Sequence, residues 1–320
     1  MADLVVLVRS RPFFGAQLVM FPALYQLKAW RPDLRLHVVA RDPLHAVFAP
    51  LPWVDVFHEA HSWHDEWRAI GRHCEVLVGL HPSSERHGLL ALGRRPPVRL
   101  GFRNGRLTDR IWTHAIAANT HDYRGLHFLN LLAAWQPLDP LQTARQSIVH
   151  LAATLPARQR PAPDGLVLMP GGGAGEFKKW GLSRFLDLAA ALGRQHGWNL
   201  PVHVVLGPAE IAEAEQLRQA AAPSVRVWQQ PSLAELAALV STARLVVAND
   251  CGPSHLAQCA GTPLVSVFDS PKPEWFWSRP GALCLTPPAG QGLPQLALAT
   301  VQAACNQVLA NPGHQAAPPS

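Results

Sequence analysis

The sequence predicts an α/β protein made of two doubly wound domains, each a parallel sheet with helices on both faces. Short apolar runs alternate with helical patterns in two separate series along the chain, and this alternation is typical of βαβ units. Between the two series, residues 156–164 are rich in proline and charge and poor in large apolar side chains, which is typical of a linker. We therefore expect an N-terminal domain at 1–155, a second domain at 165–310 and a disordered tail at 311–320.

The first series opens with the apolar run Leu4–Val8, which is typical of a strand buried on both faces of a parallel sheet. A helical pattern follows over residues 18–30, and Pro22 falls in its first turn, where a missing N–H costs least. The same patterns predict the rest of this series: strands at 34–39 and 75–80, a basic irregular segment from Arg94 to Arg124, and a helix at 127–135.

The second series begins with a strand at 166–169, which leads into a glycine-rich turn. Ser232 is followed three residues later by Glu235, a capping-box spacing that marks the start of a helix. Ligands of doubly wound sheets bind at the carboxyl ends of the strands, so we expect the site in the loops that follow them. The other predicted elements are strands at 202–206, 225–227, 245–248 and 264–268, with helices at 183–195, 211–221, 232–242 and 254–260.

Composition excludes several classes of protein. Apolar residues make up 48% of the 320 positions, which excludes a mostly disordered chain. No run of about 18 uncharged apolar residues occurs, so no membrane-spanning helix is predicted. The first residues carry no basic segment and no small-residue cleavage site, so we expect a cytoplasmic protein. Five cysteines lie scattered without CxxC spacing, which favours buried thiols over a disulfide framework or a zinc cluster.

Positive charge is concentrated in the first half of the chain. The formal net charge is +6, and residues 1–150 hold 17 Lys and Arg against 12 Asp and Glu. This balance predicts an anionic partner such as a phosphorylated glycan, a nucleic acid or the headgroups of a membrane surface. The sequence lacks the interleaved aromatic and basic repeats of nucleic-acid binders, so we expect no nucleic acid.

A glycine-rich turn directly follows the strand at 166–169. Gly171, Gly172 and Gly173 let backbone N–H groups approach an anion closely, and Lys178 and Lys179 follow within a few residues. The spacing differs from GxxxxGK[ST] and from GxGxxG, so neither a P-loop NTPase nor a nicotinamide dehydrogenase is predicted. We interpret the turn as a phosphate site, with a plain strand-to-helix connection as the alternative.

A second loop follows the strand at 245–248. It runs through Asp250, Cys251, Gly252 and Pro253 and opens a helix near Ser254-His255, whose N-terminus suits an anion. Two such loops at one sheet edge fit a diphosphate. No second acid follows Asp250 as in a DxD clamp, so we expect no metal. In the alternative interpretation, Asp250 and Ser254 only cap the helix and His255 lies beneath the loop.

Two segments carry a resemblance to a known family. Residues 245–268, LVVANDCGPSHLAQCAGTPLVSVF, resemble the signature of glycosyltransferase family 9, the bacterial lipopolysaccharide heptosyltransferases. Residues 170–192, PGGGAGEFKKWGLSRFLDLAAAL, resemble the second marker of that family. Looser similarity extends the resemblance from Leu4 to about Val308, in the stretches GAQLVMFPALYQLKAWRPDLRLHVVA, PVRLGF and THDYRGLHFLNLLAAW.

The resemblance implies a GT-B fold, in which two Rossmann-like domains face each other across a cleft. It implies an inverting, metal-independent glycosyltransferase that uses no cofactor. The second domain would bind a nucleotide-sugar, in this family usually ADP-heptose. The N-terminal domain would bind an anionic glycan or glycolipid, the lipopolysaccharide core, at the inner face of the inner membrane, with the protein peripherally attached.

Individual residues take roles from this resemblance. Lys178 matches the family lysine on the donor phosphate, and Asp250 with the residues after it matches the diphosphate loop. Glu210, in LGPAE, matches the acid that holds the ribose hydroxyls, or else it is an exposed glutamate at a helix start. The donor set it implies is Gly171, Gly172, Gly173, Lys178, Lys179, Glu210, Asp250, Cys251, Gly252, Pro253, Ser254 and His255. Four arginines would hold acceptor phosphates or carboxylates, with solvated loop charge as the alternative: Arg9, Arg11, Arg103 and Arg106.

The sequence departs from the family at the expected general base. The family has Gly-Asp after the first strand, whereas this sequence has Gly15-Ala16. General-base catalysis is worth about 10²–10⁴-fold, so the loss matters without abolishing donor binding. His81 is the candidate to replace the aspartate, because imidazole suits proton transfer near neutral pH, and a polar loop residue is the alternative interpretation. Otherwise the acceptor is more acidic or differently positioned, or the chain binds a nucleotide-sugar without transferring it.

Overall fold

The computed structural model describes residues 2–8, 13–82, 84–119, 121–173, 175–220 and 224–311. The chain forms two compact units, Met1–Ser147 and Ile148–Ser320. Each unit contains one six-stranded sheet in which all neighbouring strands are parallel. The predicted fold class, two doubly wound α/β domains, is confirmed.

The first unit alternates strands and helices. Its strands are β1 (Asp3–Leu7), β2 (Arg35–Ala40), β3 (Val56–Glu59), β4 (Cys74–Gly79), β5 (Val98–Arg103) and β6 (His114–Ala117). Its helices are α1 (Phe14–Leu18), α2 (Phe21–Trp30), α3 (His45–Phe48), α4 (Trp63–Ile70), α5 (Glu85–Arg94) and α6 (Arg124–Ala133), and α7 (Pro140–Ala153) runs across the division between the units. A 3-10 helix at Leu107–Ile111 joins β5 to β6.

The second unit repeats the same plan. Its strands are β7 (Leu166–Met169), β8 (Val202–Leu206), β9 (Val225–Gln229), β10 (Leu245–Asn249), β11 (Leu264–Val267) and β12 (Ala282–Leu285). Its helices are α8 (Leu182–His196), α9 (Ile211–Gln219), α10 (Leu233–Thr242), α11 (Ser254–Ala260) and α12 (Leu298–Ala310). Ser232 and Glu235 form the predicted capping box of α10. Two of its 3-10 helices, Glu176–Lys178 and Pro273–Trp275, lie in the loops that follow β7 and β11.

Both sheets have the same strand order. The first runs β3-β2-β1-β4-β5-β6 and the second, read in the same sense, runs β9-β8-β7-β10-β11-β12. The chain winds outward in one direction from β1 or β7 and then in the other direction from β4 or β10. The pairs β1/β4 and β7/β10 are therefore the switch points at which ligands of such sheets bind.

The central strands are buried as the apolar runs predict. Every residue of β1, β7, β10 and β11 is buried, because helices cover both faces of a parallel sheet. Trp180 and Phe185 lie in the core of the second unit, packed edge to face at a centroid distance of 5.2 Å. The indole Nε1 of Trp180 donates to the Leu296 carbonyl at 2.8 Å, so this buried ring also satisfies its polar atom.

Sequence prediction of local structure fails at two kinds of place, a segment predicted to be irregular and two short strands. The segment from Arg94 to Arg124 is not irregular, since it contains β5 and β6. Arg99 fits within β5 because its guanidinium donates to the Ile111 carbonyl at 2.7 Å. The helix predicted at 18–30 is present as α2, which begins at Phe21 with Pro22 in its first turn as predicted, and only Leu18 belongs to the separate helix α1. The short strands β3 and β12 were not predicted at all.

Two predicted boundary segments have different outcomes. Residues 156–164 lie in the second unit, where Ala157–Gln159 forms a 3-10 helix and Asp164 pairs with Arg244. The predicted tail falls, beyond Asn311, outside the described residues. Within the described ranges, every helix is too short or too polar to cross a bilayer.

Candidate functional site

Four loops leave the second sheet at its carboxyl edge. β7 and β10 are neighbours, so the glycine-rich turn at 170–173 and the loop at 250–253 leave the sheet side by side. β8 lies on the other side of β7 and leads to Glu210, and β11 lies beside β10 and leads to Lys272. Side chains that are distant in sequence therefore meet at the switch point of this sheet.

Asn249 joins the first two loops. It is the last residue of β10 and is fully buried. Its Oδ1 accepts a hydrogen bond from the Trp180 backbone N–H at 3.2 Å, and its Nδ2 donates to the Pro170 carbonyl at 2.6 Å. One amide side chain thus satisfies a donor on one side of the glycine-rich turn and an acceptor on the other.

Asn249→Ala is expected to lower the free energy of unfolding of the second unit by about 2–6 kcal/mol. The reason is that the Trp180 N–H and the Pro170 carbonyl are both left buried without their partner, at about 1–3 kcal/mol each. Urea unfolding measures the change, and Asn306→Ala, an asparagine on the surface of α12, is the matched control. A loss below about 1 kcal/mol would show that water replaces the amide.

The first loop needs glycine at two of its positions. A Cβ at Gly172 would lie 2.6 Å from the Gly175 carbonyl oxygen, closer than these atoms approach in proteins. Gly173 has a φ of +57°, in the left-handed region that favours glycine. Gly171 faces Glu210, since a Cβ at Gly171 would lie 3.3 Å from Oε2 of that side chain. The three glycines predicted as a phosphate loop therefore form a tight turn against a buried carboxylate.

Lys178 and Asp250 connect the two loops by charge. Lys178 Nζ lies 2.6 Å from Asp250 Oδ2, and the two side chains are 17% and 10% exposed. Lys178 belongs to the 3-10 helix after the glycine-rich turn, and Asp250 directly follows β10. Asp250 is therefore more than a helix cap, because its carboxylate holds an ammonium group from the neighbouring loop.

Sequence reasoning missed two residues of the same cluster. Lys272 Nζ lies 3.0 Å from Asp250 Oδ2 and 2.6 Å from Asp269 Oδ1. Burial alone would lower the pKa of Lys272, but the hydrogen bonds to Asp269 and Asp250 raise it above its ordinary value. Burial alone would raise the pKa of Asp269, but the hydrogen bond from Lys272 holds the pKa of that carboxyl below its usual range. The sequence shows that both residues follow β11, but it does not show that β11 lies beside β10.

Glu210 is buried, so its interpretation as an exposed glutamate is wrong. Its Oε2 accepts a hydrogen bond from the Gly207 N–H at 3.0 Å, and its Oε1 lies 3.4 Å from Lys179 Nζ. Lys179 also pairs with Glu176 at 2.7 Å and with Glu213 at 3.5 Å. Burial would lower the pKa of Lys179, but these three carboxylates raise it. The Glu210 carboxylate is thus held at the edge beside Gly171.

The remaining predicted residues form the turn into α11. Ser254 Oγ donates to the Cys251 carbonyl at 2.7 Å, and the N–H groups of Ser254 and His255 donate to Cys251 and Gly252. Pro253 precedes the helix. Because these first N–H groups of α11 already have partners, the positive charge of this edge comes from lysine side chains, of which Lys178 and Lys272 contact Asp250.

Neither Cys251 nor His255 is charged near neutral pH. Burial raises the pKa of the Cys251 thiol to about 12, so the thiol stays protonated. Burial lowers the pKa of His255 to about 4, and its Nδ1 lies 3.1 Å from Gln258 Nε2. His255 therefore lies beneath the loop as a neutral ring, which is the plainer of its two interpretations.

Acid is expected to destabilise the second unit between about pH 6.5 and pH 4. Burial lowers the pKa of both His203 and His255 to about 4, so the unfolded chain takes up protons first as the pH falls. Above about pH 6.5 these two histidines do not make the stability depend on pH. As the pH falls from there to about 4, each lowers the free energy of unfolding by up to about 3 kcal/mol. Urea unfolding at pH 7.5, 6.0 and 5.0 measures this loss. His203→Gln should reduce the pH dependence, whereas His196→Gln, at an exposed position, should leave it intact. If the unfolding free energy of His203→Gln depends on pH as steeply as that of the wild type, His203 does not contribute to the acid destabilisation.

The residues predicted in the first unit are less tightly grouped. His81 follows β4 and is half-buried, with its ring centroid 5.8 Å from that of the buried His87. The preceding residue, Leu80, donates its N–H to the Leu7 carbonyl of β1, so His81 lies at the β1/β4 switch point. Arg103 is exposed at the end of β5, and Arg106 pairs with Glu85 at 2.7 Å.

Three further points concern sequence predictions for the site. Arg9 and Arg11 lie outside the described residues. Ala16 lies in α1 and offers no proton acceptor. Among the residues that the structure describes, no group of three or more His, Cys, Asp or Glu side chains is arranged to hold a metal ion.

The sequence and the fold were compared with known proteins. The sequence model of glycosyltransferase family 9 (heptosyltransferase) matches residues 76–280. No curated protein sequence matches the chain. Among solved structures, a family 9 glycosyl transferase from Veillonella parvula DSM 2008 is 19% identical with a TM-score of 0.64, over 97% of both chains.

Two E. coli structures are also similar. ADP-heptose lps heptosyltransferase II is 17% identical with a TM-score of 0.62, covering 96% of this chain and 98% of that one. Heptosyltransferase WaaC with ADP is 17% identical with a TM-score of 0.67, covering 95% of this chain and 100% of that one. These matches confirm the GT-B fold over nearly the whole chain.

Proposed function

We propose that this chain, which belongs to glycosyltransferase family 9, transfers a sugar from a nucleotide-sugar to an anionic glycan or glycolipid. The observation that carries the proposal is the contact of Lys178 with Asp250 at 2.6 Å. It brings together the two loops that follow β7 and β10, and Lys272 adds a second ammonium group to the same carboxylate oxygen. Two cations at the switch point of a parallel sheet suit a diphosphate.

The proposed donor is ADP-heptose. This choice rests on the heptosyltransferase family and on E. coli WaaC, whose structure was solved with ADP. Glu210 would accept hydrogen bonds from the ribose hydroxyls, because its carboxylate is buried beside the glycine-rich turn and keeps Oε1 without a hydrogen-bonded partner among the described residues. The ion pair of that oxygen with Lys179, at 3.4 Å, would loosen when ribose binds.

The proposed reaction is a single displacement with inversion. The acceptor hydroxyl oxygen bonds to the anomeric carbon while the bond from that carbon to the diphosphate oxygen breaks with its electron pair. Lys178 and Lys272 stabilise the negative charge that develops on the departing diphosphate. We propose a metal-independent reaction because these two ammonium groups already supply that stabilisation. His81 would take the proton of the acceptor hydroxyl.

The second candidate is a nucleotide-sugar-binding protein that does not transfer the sugar. Gly15-Ala16 favours it, because alanine stands where the resemblance implies the general base.

The proposed acceptor of the transferase is the lipopolysaccharide core at the inner face of the inner membrane, in keeping with the excess of basic residues in the first half of the chain.

Incubation with ADP-heptose and a heptose-deficient lipopolysaccharide core distinguishes the two candidates. Release of ADP that depends on the acceptor, with the sugar recovered on that acceptor, is the expected result. Donor binding without release would favour the non-catalytic candidate. Failure of ADP, UDP and GDP to bind in calorimetric titrations would refute the donor site itself.

A further inference from the structure

Lysine is rare in this chain and unevenly placed. The sequence contains 24 arginines and only four lysines, and three of the lysines are Lys178, Lys179 and Lys272. All three lie on loops at the carboxyl edge of the second sheet, and the fourth, Lys28, lies in the first unit. Everywhere else in the second unit, positive charge is carried by arginine. Lysine differs from arginine in being a compact charge with three rotatable donors, which can change partners.

Lys272 reaches the cluster from a different strand. The loop after β11 contains Asp269 and Lys272, and the Lys272 side chain is 22% exposed. Its ammonium group donates to Asp250 at 3.0 Å and to Asp269 at 2.6 Å. An ammonium group has three N–H donors, so one can still be donated to an anion. Lys178 donates to the same oxygen of Asp250 at 2.6 Å.

Asp250 holds two ammonium groups that would otherwise repel each other. With Lys178 on one side and Lys272 on the other, its Oδ2 keeps the two positive charges close together. Two phosphates linked by one oxygen present two neighbouring negative groups, which a pair of cations can contact one each. A single phosphate cannot give each of the two cations a phosphate of its own.

We propose that Lys272 is a second diphosphate-binding residue of the donor site, and that it makes the site select a nucleoside diphosphate over the monophosphate. This inference rests on the proposed function. Lys178 and Lys272 approach the diphosphate from the loops after β7 and β11, and Asp250 between them sets their spacing. Asp269 holds Lys272 in place, and its negative charge opposes the ligand.

The two residues of the β11 loop are expected to give different results when each is replaced, because the amide oxygen of Asp269→Asn can still accept the hydrogen bond from Lys272. Lys272→Met should weaken binding of the preferred nucleoside diphosphate among ADP, UDP and GDP by about 10–100-fold, the range of a charge-assisted hydrogen bond. Binding of the corresponding monophosphate should weaken by less than about 3-fold. Asp269→Asn should leave diphosphate binding unchanged or strengthen it, because a competing negative charge is removed.

Calorimetric titration with the full-length protein makes these measurements, and thermal unfolding confirms that each variant is folded. Arg218→Met is the control, since it removes one positive charge from an exposed position on α9 of the same unit. Lys272→Arg should recover part of the affinity, because the charge is kept but the guanidinium has a different shape.

The outcomes separate this inference from the proposed function. If Lys178→Met abolishes diphosphate binding while Lys272→Met matches the wild type within 2-fold, the role of Lys272 is overturned and the donor site stands. Equal losses for the diphosphate and the monophosphate would overturn the selectivity. If the wild type binds none of the three diphosphates, the inference and the proposed function fail together.

Discussion

Lys178→Met is expected to weaken nucleoside diphosphate binding by about 10²-fold and to lower kcat for sugar transfer by about a further 10²–10³-fold. The ammonium group lies 2.6 Å from Asp250 and is mostly buried, so a charge-assisted hydrogen bond to phosphate would form away from bulk water. The larger effect on kcat follows because negative charge on the diphosphate increases as the bond to the sugar breaks.

Titration with ADP and steady-state kinetics with the sugar donor measure these two effects separately. Lys28→Met is the matched control, since it removes a lysine of the first unit whose ion pair is with Asp55. A variant that binds ADP as well as the wild type would contradict the placement of the diphosphate at Lys178. A rise in KM that matches the loss of ADP affinity, with kcat unchanged, would mean that Lys178 binds the donor without stabilising the leaving group.

His81→Ala is expected to lower kcat by about 10²–10⁴-fold while donor affinity changes by less than about 2-fold. A general base acts on the acceptor hydroxyl only as the transition state forms, so its loss spares the binding of the nucleotide-sugar. His81 lies at the β1/β4 switch point of the first unit, next to the Leu80 N–H that bonds to β1.

Single-turnover rates at saturating donor provide the measurement. His61→Gln is the control, because that histidine is 71% exposed at its side chain. Adding Ala16→Asp to His81→Ala should restore part of the rate if an aspartate in α1 can take over the proton. A kcat within about 3-fold of the wild type for His81→Ala would eliminate His81 as the base. A wild type that binds donor but transfers nothing would favour the non-catalytic candidate.

The elements that sequence reasoning could predict are those whose local pattern decides their structure. The continuous apolar runs at β1, β7 and β10 are typical of strands buried on both faces, and every residue of these strands is buried. β5 and β6 could not be predicted in this way. In β5, Arg99 is accommodated because the Ile111 carbonyl accepts its hydrogen bond, and a sequence pattern does not show such a partner. β6 is a strand of only four residues, His114–Ala117, and none of them is fully buried.

The candidate site likewise contains residues that the sequence predicts and residues that it does not. The glycine-rich turn and Asp250 follow strands with clear patterns, so their positions at the sheet edge could be predicted. Lys272 could not, because its contact with Asp250 depends on β11 lying beside β10. The alternative interpretation of Glu210 as an exposed residue was wrong for a related reason. A glutamate at a helix start is ordinarily exposed, and it is buried here only because the Gly207 N–H and Lys179 reach its carboxylate.

The clustering of lysines also decides how this protein can be handled. Reagents that acylate primary amines would find, besides Lys28 and the α-amino group, only the side chains at the carboxyl edge of the second sheet. Coupling to an amine-reactive sensor surface, or labelling with an amine-reactive dye, would therefore modify the candidate site. Thiol coupling offers no simple substitute, because Cys74, Cys251, Cys259 and Cys305 are buried. Cys284 is half-buried, and burial raises the pKa of its thiol to about 12, so it stays protonated. Attachment through an affinity tag keeps these ammonium groups intact, and acylation with and without nucleotide becomes a footprint of the site.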